Sequence, residues 1–182
     1  SIGSSFGLLE RNAARFGGYY SETMQIPGSS SFNLYQPGPG CKATDNVAVG
    51  HVDPTQIDGN GFIVDLSSNP VTLRGNVASG CAGAGICLTQ SAGCTVEGNE
   101  LLDCGRAIKI AANGGTITGN VFSGSRIEHV HTAGFLAGQA ALDRNTYGTG
   151  VPLVHDSYDS SRIYISVAQL RSLGRELEGT GP

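Results

Sequence analysis

One pattern is spelled three times in this chain: Thr72-Leu73-Arg74-Gly75-Asn76, Thr95-Val96-Glu97-Gly98-Asn99 and Thr116-Ile117-Thr118-Gly119-Asn120. Each copy reads Thr, aliphatic, any residue, Gly, Asn. Weaker copies stand at Leu8-Leu9-Glu10-Arg11-Asn12 and Ala141-Leu142-Asp143-Arg144-Asn145, with a fragment at Ala43-Thr44-Asp45-Asn46. A period of about 22 residues is too short for a helix-pair repeat or a propeller blade; it matches one coil of a solenoid built from three short strands. A single coil cannot bury its own apolar side. Coils therefore stack, each strand running parallel to its counterpart about 4.8 Å away.

Stacking turns the repeat into columns. Leu9, Leu73, Val96, Ile117 and Leu142, which hold the same place before each Asn, are expected to point inward as one column, and Cys81, Cys104 and Ser125 form a second. The repeated Asn is read as a turn residue that tolerates a left-handed backbone and bonds along the stack through its amide. Gly75, Gly98 and Gly119 are expected to relieve crowding at the same bend.

Composition agrees with strands and turns. Only 14% of the 182 residues are charged while 28 are Gly, which disfavours a helical bundle. The formal net charge of −4 leaves no basic surface for phosphates, so nucleic acid is not an expected partner. No apolar run approaches the roughly 20 residues that cross a bilayer, so a membrane is not one either. Five cysteines, Cys41, Cys81, Cys87, Cys94 and Cys104, contain no CxxC pair and no matching His spacing, which argues against zinc. Cys81 and Cys104 sit one coil apart. That spacing is compatible with a disulfide, but stacked parallel positions hold their side chains side by side, so a thiol ladder is expected.

After Asn145 the chain changes character. Ser166 and Gln169 fit a capping box, and Val167, Leu170, Leu173 and Leu177 keep one apolar stripe, as suits a short helix closing the open end of the coils. The expected organisation is thus coils over 1–145, with loop insertions near 28–40 and 51–61, followed by a closing strand and capping helix over 146–182. Leu8 to Asn12 already reads as a coil, which leaves Ser1 to Gly7 for any cap. The expectation is that further coils, or another chain, meet that end.

The T-x-x-G-N coils and this tail together resemble the right-handed parallel β-helix proteins of the pectate-lyase-like superfamily, over Phe62 to Asn145 and more loosely over Ser5 to Val49. In the tail, Asn145, Tyr147, Leu170, Gly174 and Glu176 follow the closing pattern of that group, N-x-Y, apolar strand, short helix, Gly-x-Glu; the usual tryptophan of the helix is absent. The resemblance implies an all-β fold, a right-handed parallel β-helix with a short C-terminal capping helix, in a secreted or cell-surface protein. It implies either a carbohydrate-active protein acting on an acidic polysaccharide or a non-catalytic solenoid of the fibre or tailspike kind.

Registering the preceding strand on the Asn repeat aligns Val64-Asp65-Leu66, Ile86-Cys87-Leu88 and Ile108-Lys109-Ile110, so that Asp65, Cys87 and Lys109 point outward. The stretch Arg126-Ile127-Glu128-His129-Val130-His131 follows, and is expected to bring Glu128 or His129 about 5 Å from Lys109. An enzyme acting on uronic acids must neutralise the carboxylate, remove the adjacent ring proton and stabilise the charge that develops. Lys109, Arg126 and His129 are the catalytic candidates for β-elimination or epimerisation, and Arg106, Asp65, Glu128 and His131 the substrate-binding ones. The same residues also suit a solvated outer face paired across the ladder. A glycoside hydrolase fits less well, because Asp65 and Glu128 would lie three coils, roughly 14 Å, apart. No cofactor and no metal is expected; for calcium, Asp45, Asp53, Asp58, Asp156 and Asp159 form no D-x-D-x-D-G loop. His155-Asp156 is no dyad, since strand neighbours face opposite sides.

Overall fold

A computed structural model describes residues 7–15, 30–53, 58–132, 140–156, 163–176 and 178–182. The expected right-handed parallel β-helix is what they form, and three faces repeat along its axis. The first face carries the T-x-x segments: β1 (Leu8–Glu10), β4 (Lys42–Thr44), β7 (Thr72–Arg74), the C-terminal halves of β9 (Ala84–Glu97) and β11 (Arg106–Thr118), and β14 (Ala141–Asp143). The second holds β2 (Ala13–Arg15), β5 (Val47–Val49), β8 (Val77–Ser79), β10 (Glu100–Leu102), β12 (Val121–Ser123) and β15 (Thr146–Tyr147). The third holds β3 (Ser30–Tyr35), β6 (Asn60–Asp65), the N-terminal halves of β9 and β11, β13 (Glu128–Thr132) and β16 (Val154–Asp156). Among the described residues the strands pair in parallel, except that β17 (Ile163–Tyr164) closes the third face antiparallel to β16.

The predicted inward column is present. Leu9, Ala43, Leu73, Val96, Ile117 and Leu142 are register partners, and all but the terminal Leu9 are buried. The fragment at Ala43–Asn46 is therefore a full coil, disguised because Ala replaces the aliphatic and Asp45 the glycine. Each asparagine donates its backbone N–H to the amide oxygen of the next: Asn12 to Asn46 at 2.9 Å, Asn46 to Asn76 at 3.0 Å, Asn76 to Asn99 at 2.9 Å, Asn99 to Asn120 at 2.9 Å and Asn120 to Asn145 at 3.0 Å. The amide NH2 groups follow the same direction and also reach backbone carbonyls of the preceding coil.

The left-handed residue is not the asparagine but the one before it. Arg11, Asp45, Gly75, Gly98, Gly119 and Arg144 all have φ between 53° and 65°. This explains the glycine of the pattern: it occupies a backbone well that costs other L-residues roughly 1 kcal/mol or more.

Two segments expected as loops contain strand. Within 28–40, Ser30–Tyr35 forms β3, because Phe32 and Leu34 alternate with polar residues and Phe32 stacks on Phe62 with ring centroids 4.9 Å apart. Within 51–61, β6 begins at Asn60. At the corner between second and third faces, Gly61, Gly85, Ala107 and His129 follow one another inward. They pack near Ala48, Ala78, Leu101 and Phe122, and both columns gain bulk toward the C-terminal end.

The tail closes the tube as expected. Helix α1 (Val167–Ser172) starts at Ser166, whose hydroxyl accepts from Gln169 N–H while the Gln169 side chain accepts from Ser166 N–H. Val167 and Leu170 are buried, but Leu173 is 42% exposed because the helix ends there; Leu177 lies outside the described residues. Glu176 is fully buried against Asn145 and Tyr147. No helix among the described residues is long and apolar enough to cross a membrane.

Candidate metal centre on the outer face

The third face presents an outward row, Ile63, Cys87, Lys109, His131 and His155, each the register partner of the next. Asp65 is not in it: it pairs with Thr89, further along the strand. Lys109 thus has His131 as its neighbour rather than Glu128 or His129, and Glu128 pairs with Arg106.

The difference arises at one irregularity. Strict alternation would put His129 and His131 on the same side, yet both His129 and Val130 are fully buried, as are Ala107 and Ile108 in the coil below. Two inward residues in succession leave Glu128 and His131 together at the rim. His129 goes inside, where its Nδ1 meets Ser125 Oγ at 3.0 Å, its Nε2 meets the Gly148 carbonyl at 3.1 Å, and its ring packs against Phe122 and Tyr147. Burial lowers its pKa, with a partial offset from the Gly148 carbonyl, so the ring is held neutral. Arg126 does not reach the row either. Its guanidinium donates to the carbonyls of Asp103 at 2.6 Å, Cys81 at 2.8 Å and Ala82 at 3.3 Å, tying successive coils together.

What assembles is a cluster from three successive strands: Arg106 and Lys109 of β11, Glu128 and His131 of β13, and His155 of β16. Glu128 Oε1 accepts from Arg106 Nε and lies 2.9 Å from His131 Nδ1, and Oε2 faces His155 Nδ1 at 3.7 Å. The two imidazoles meet edge to face with centroids 5.4 Å apart. Burial pushes the Glu128 carboxyl up, but the hydrogen bonds from His131 and Arg106 outweigh it and hold the group below its ordinary range, ionised near neutral pH.

One donor atom from each of Glu128, His131 and His155 lies within 4.8 Å of the others. Two imidazole nitrogens and a carboxylate oxygen suit copper(II), zinc and other borderline divalent ions. The gap between His155 and the second carboxylate oxygen is too long for a hydrogen bond, so the two are not tied to each other and an ion could bridge them. The donor set therefore fits a metal. His155 escapes a reading anchored on the asparagines because it follows the last of them; the signal that finds it is the recurrence of a histidine one coil after His131.

The family model described as "Periplasmic copper-binding protein (NosD)" matches residues 17–163. Neither a search of curated proteins nor one of solved structures returns a match. The expectation of a protein without metal or cofactor is corrected by this match, since the family is described as copper-binding. Residue types in the T-x-x-G-N repeat report on coils and could not have carried that information.

Proposed function

The chain belongs to the NosD family, and from that membership we propose that it is an extracytoplasmic β-helix that holds copper(II) between Glu128, His131 and His155. The observation that carries this reading is the convergence of three metal-competent donor atoms within 4.8 Å on neighbouring parallel strands. Parallel pairing fixes the spacing of the imidazoles. The Arg106 hydrogen bond orients the carboxylate and keeps it ionised, as a ligand must be. Bound copper would supply a Lewis acid and a one-electron couple at the surface of the tube. The family's description as periplasmic supports the extracytoplasmic location.

Titration of the apo-protein with copper(II), followed by electron paramagnetic resonance, tests the reading. One equivalent with nitrogen hyperfine structure is expected, and it should disappear in His131→Ala and in His155→Ala. Unchanged binding in both variants would overturn it.

A second reading is favoured by one further observation. Lys109 stands one register position from His131 and has no ion-pair partner among the described residues. Together with partly exposed Arg106 it would attract a carboxylate, which suits an acidic polysaccharide lying along the third face. There Lys109 or His131, rather than buried His129, would move the ring proton. Release of an unsaturated, ultraviolet-absorbing sugar from pectate, alginate or glycosaminoglycans tests it, and silence on all of them would dismiss it.

A further inference from the structure

The five cysteines take no part in the outer-face cluster; all are buried and free, so Cys81 and Cys104 stack as thiols rather than as a disulfide. The first face, by contrast, carries an open cleft of about 370 Å³, a size that suits a small ligand. Its floor is two outward rows. Thr95, Thr116 and Ala141 are register partners in one, and Glu97, Thr118 and Asp143 in the other. Arg144 lines its edge.

The cleft forms where the repeat changes its spelling. Ala141 stands where Thr72, Thr95 and Thr116 stand in the three clean copies, and Arg144 where Gly75, Gly98 and Gly119 stand. Ala lacks the hydroxyl and the methyl of Thr, which deepens the floor. Arg144 holds φ at 56°, a left-handed conformation that glycine takes at less cost, so a cation is kept there despite the strain. Beside it the bends of the two preceding coils are open, since a Cβ added at Gly98 or Gly119 meets nothing within 4 Å.

The charges of the cleft do not neutralise one another. Among the described residues neither Asp143 nor Arg144 makes an ion pair. Asp143 Oδ1 accepts the Glu178 N–H at 3.0 Å, and its second oxygen is left to a ligand. Glu97, braced by Arg74 at 3.2 Å, lies two register steps from Asp143, about 10 Å along the axis. Between them Thr118 Oγ1 is buried with no hydrogen-bond partner. The geometry points to a binding site for a basic α-amino acid, with its α-carboxylate on Arg144, its α-ammonium on Asp143 and its side-chain ammonium at Glu97. The charges are complementary: the cleft offers two carboxylates and one guanidinium, and the ligand two ammonium groups and one carboxylate. A flexible four-carbon stem, as in lysine, bridges the gap between the two acidic residues.

The cleft is on a different face from Glu128, His131 and His155, and metal-free protein keeps the two from being confused. Calorimetric titration with L-lysine at low ionic strength, where exposed charges are least screened, is expected to show one site. Cadaverine lacks the carboxylate and L-norleucine the side-chain ammonium; each should bind at least about tenfold more weakly, having lost one charge-assisted bond. Ala141→Thr and Arg144→Gly restore residues of the repeat, so they keep the coil while filling the floor and removing the cation. Both are expected to abolish binding, with circular dichroism unchanged. Glu97→Gln should bring lysine down to the level of norleucine. No heat with L-lysine, equal binding of cadaverine and norleucine, or undiminished binding in Arg144→Gly overturns the proposal.

Discussion

Glu176 occupies the place that a further asparagine would take beside Asn145. Its Oε2 accepts from Asn145 N–H at 3.1 Å and its Oε1 from the Asn145 amide at 2.6 Å, and the Tyr147 hydroxyl donates to Oε1 at 2.6 Å. Asn12, Asn46, Asn76, Asn99, Asn120 and Asn145 pass their hydrogen bonds in one direction, and a carboxylate, which accepts and does not donate when ionised, receives the last of them.

Removing that acceptor strands three buried donors. Glu176→Ala is expected to destabilise the protein by about 3–5 kcal/mol, since each buried unsatisfied group costs roughly 1–3 kcal/mol. Glu176→Gln keeps one accepting oxygen and should cost less. Urea denaturation of the two variants measures the order.

Position along the stack sets the cost of losing an amide. Asn99 accepts from Asn76 and donates to Asn120 and to the Leu73 carbonyl, all in the buried interior. Asn99→Ala should cost about 3 kcal/mol or more. Asn12, exposed at the first described coil, should cost under about 1 kcal/mol on the same change. Equal midpoints for the two variants would contradict the ladder as a source of stability.

The inward column gives a similar contrast. Leu73→Ala removes a fully buried side chain and is expected to cost about 2–5 kcal/mol, while Leu8→Ala, at a residue 59% exposed, should change stability by no more than about 0.5 kcal/mol. Thermal melts followed by circular dichroism distinguish them.

The pH dependence follows from His129. Its folded pKa lies below the ordinary value of 6.5 because of burial, so below pH 6.5 the unfolded chain binds more protons than the folded one. The His129 contribution to stability therefore falls as the pH drops below 6.5. In His129→Gln the slope of unfolding free energy against pH is expected to flatten on the acid side of that value. A slope identical to wild type would show that the buried ring does not titrate.

The asparagine ladder and the inward column could be read from residues alone because the bend after each T-x-x strand has constant length. The third face could not be registered that way. The path from the outward row to the next asparagine, Ile63 to Asn76, then Cys87 to Asn99, then Lys109 to Asn120, grows shorter at each coil. Fixed-distance alignment therefore puts Asp65 where Ile63 stands, and the apolar flanks of both make the slip invisible. The cluster of Arg106, Glu128 and His131 needs a further datum, the paired inward residues His129 and Val130, which no alternating pattern foretells.

The corner occupied in turn by Gly61, Gly85, Ala107 and His129 makes the tube a graded one, narrow-shouldered near β6 and filled by an imidazole near β13. Coils that share a spelling are thus not interchangeable parts. Copying an early coil into a late position would set a hollow beside Phe122, and the reverse would drive a ring into Ala48 and Ala78. Any lineage that lengthens such a protein must add turns at its extremities or rebuild both columns at once.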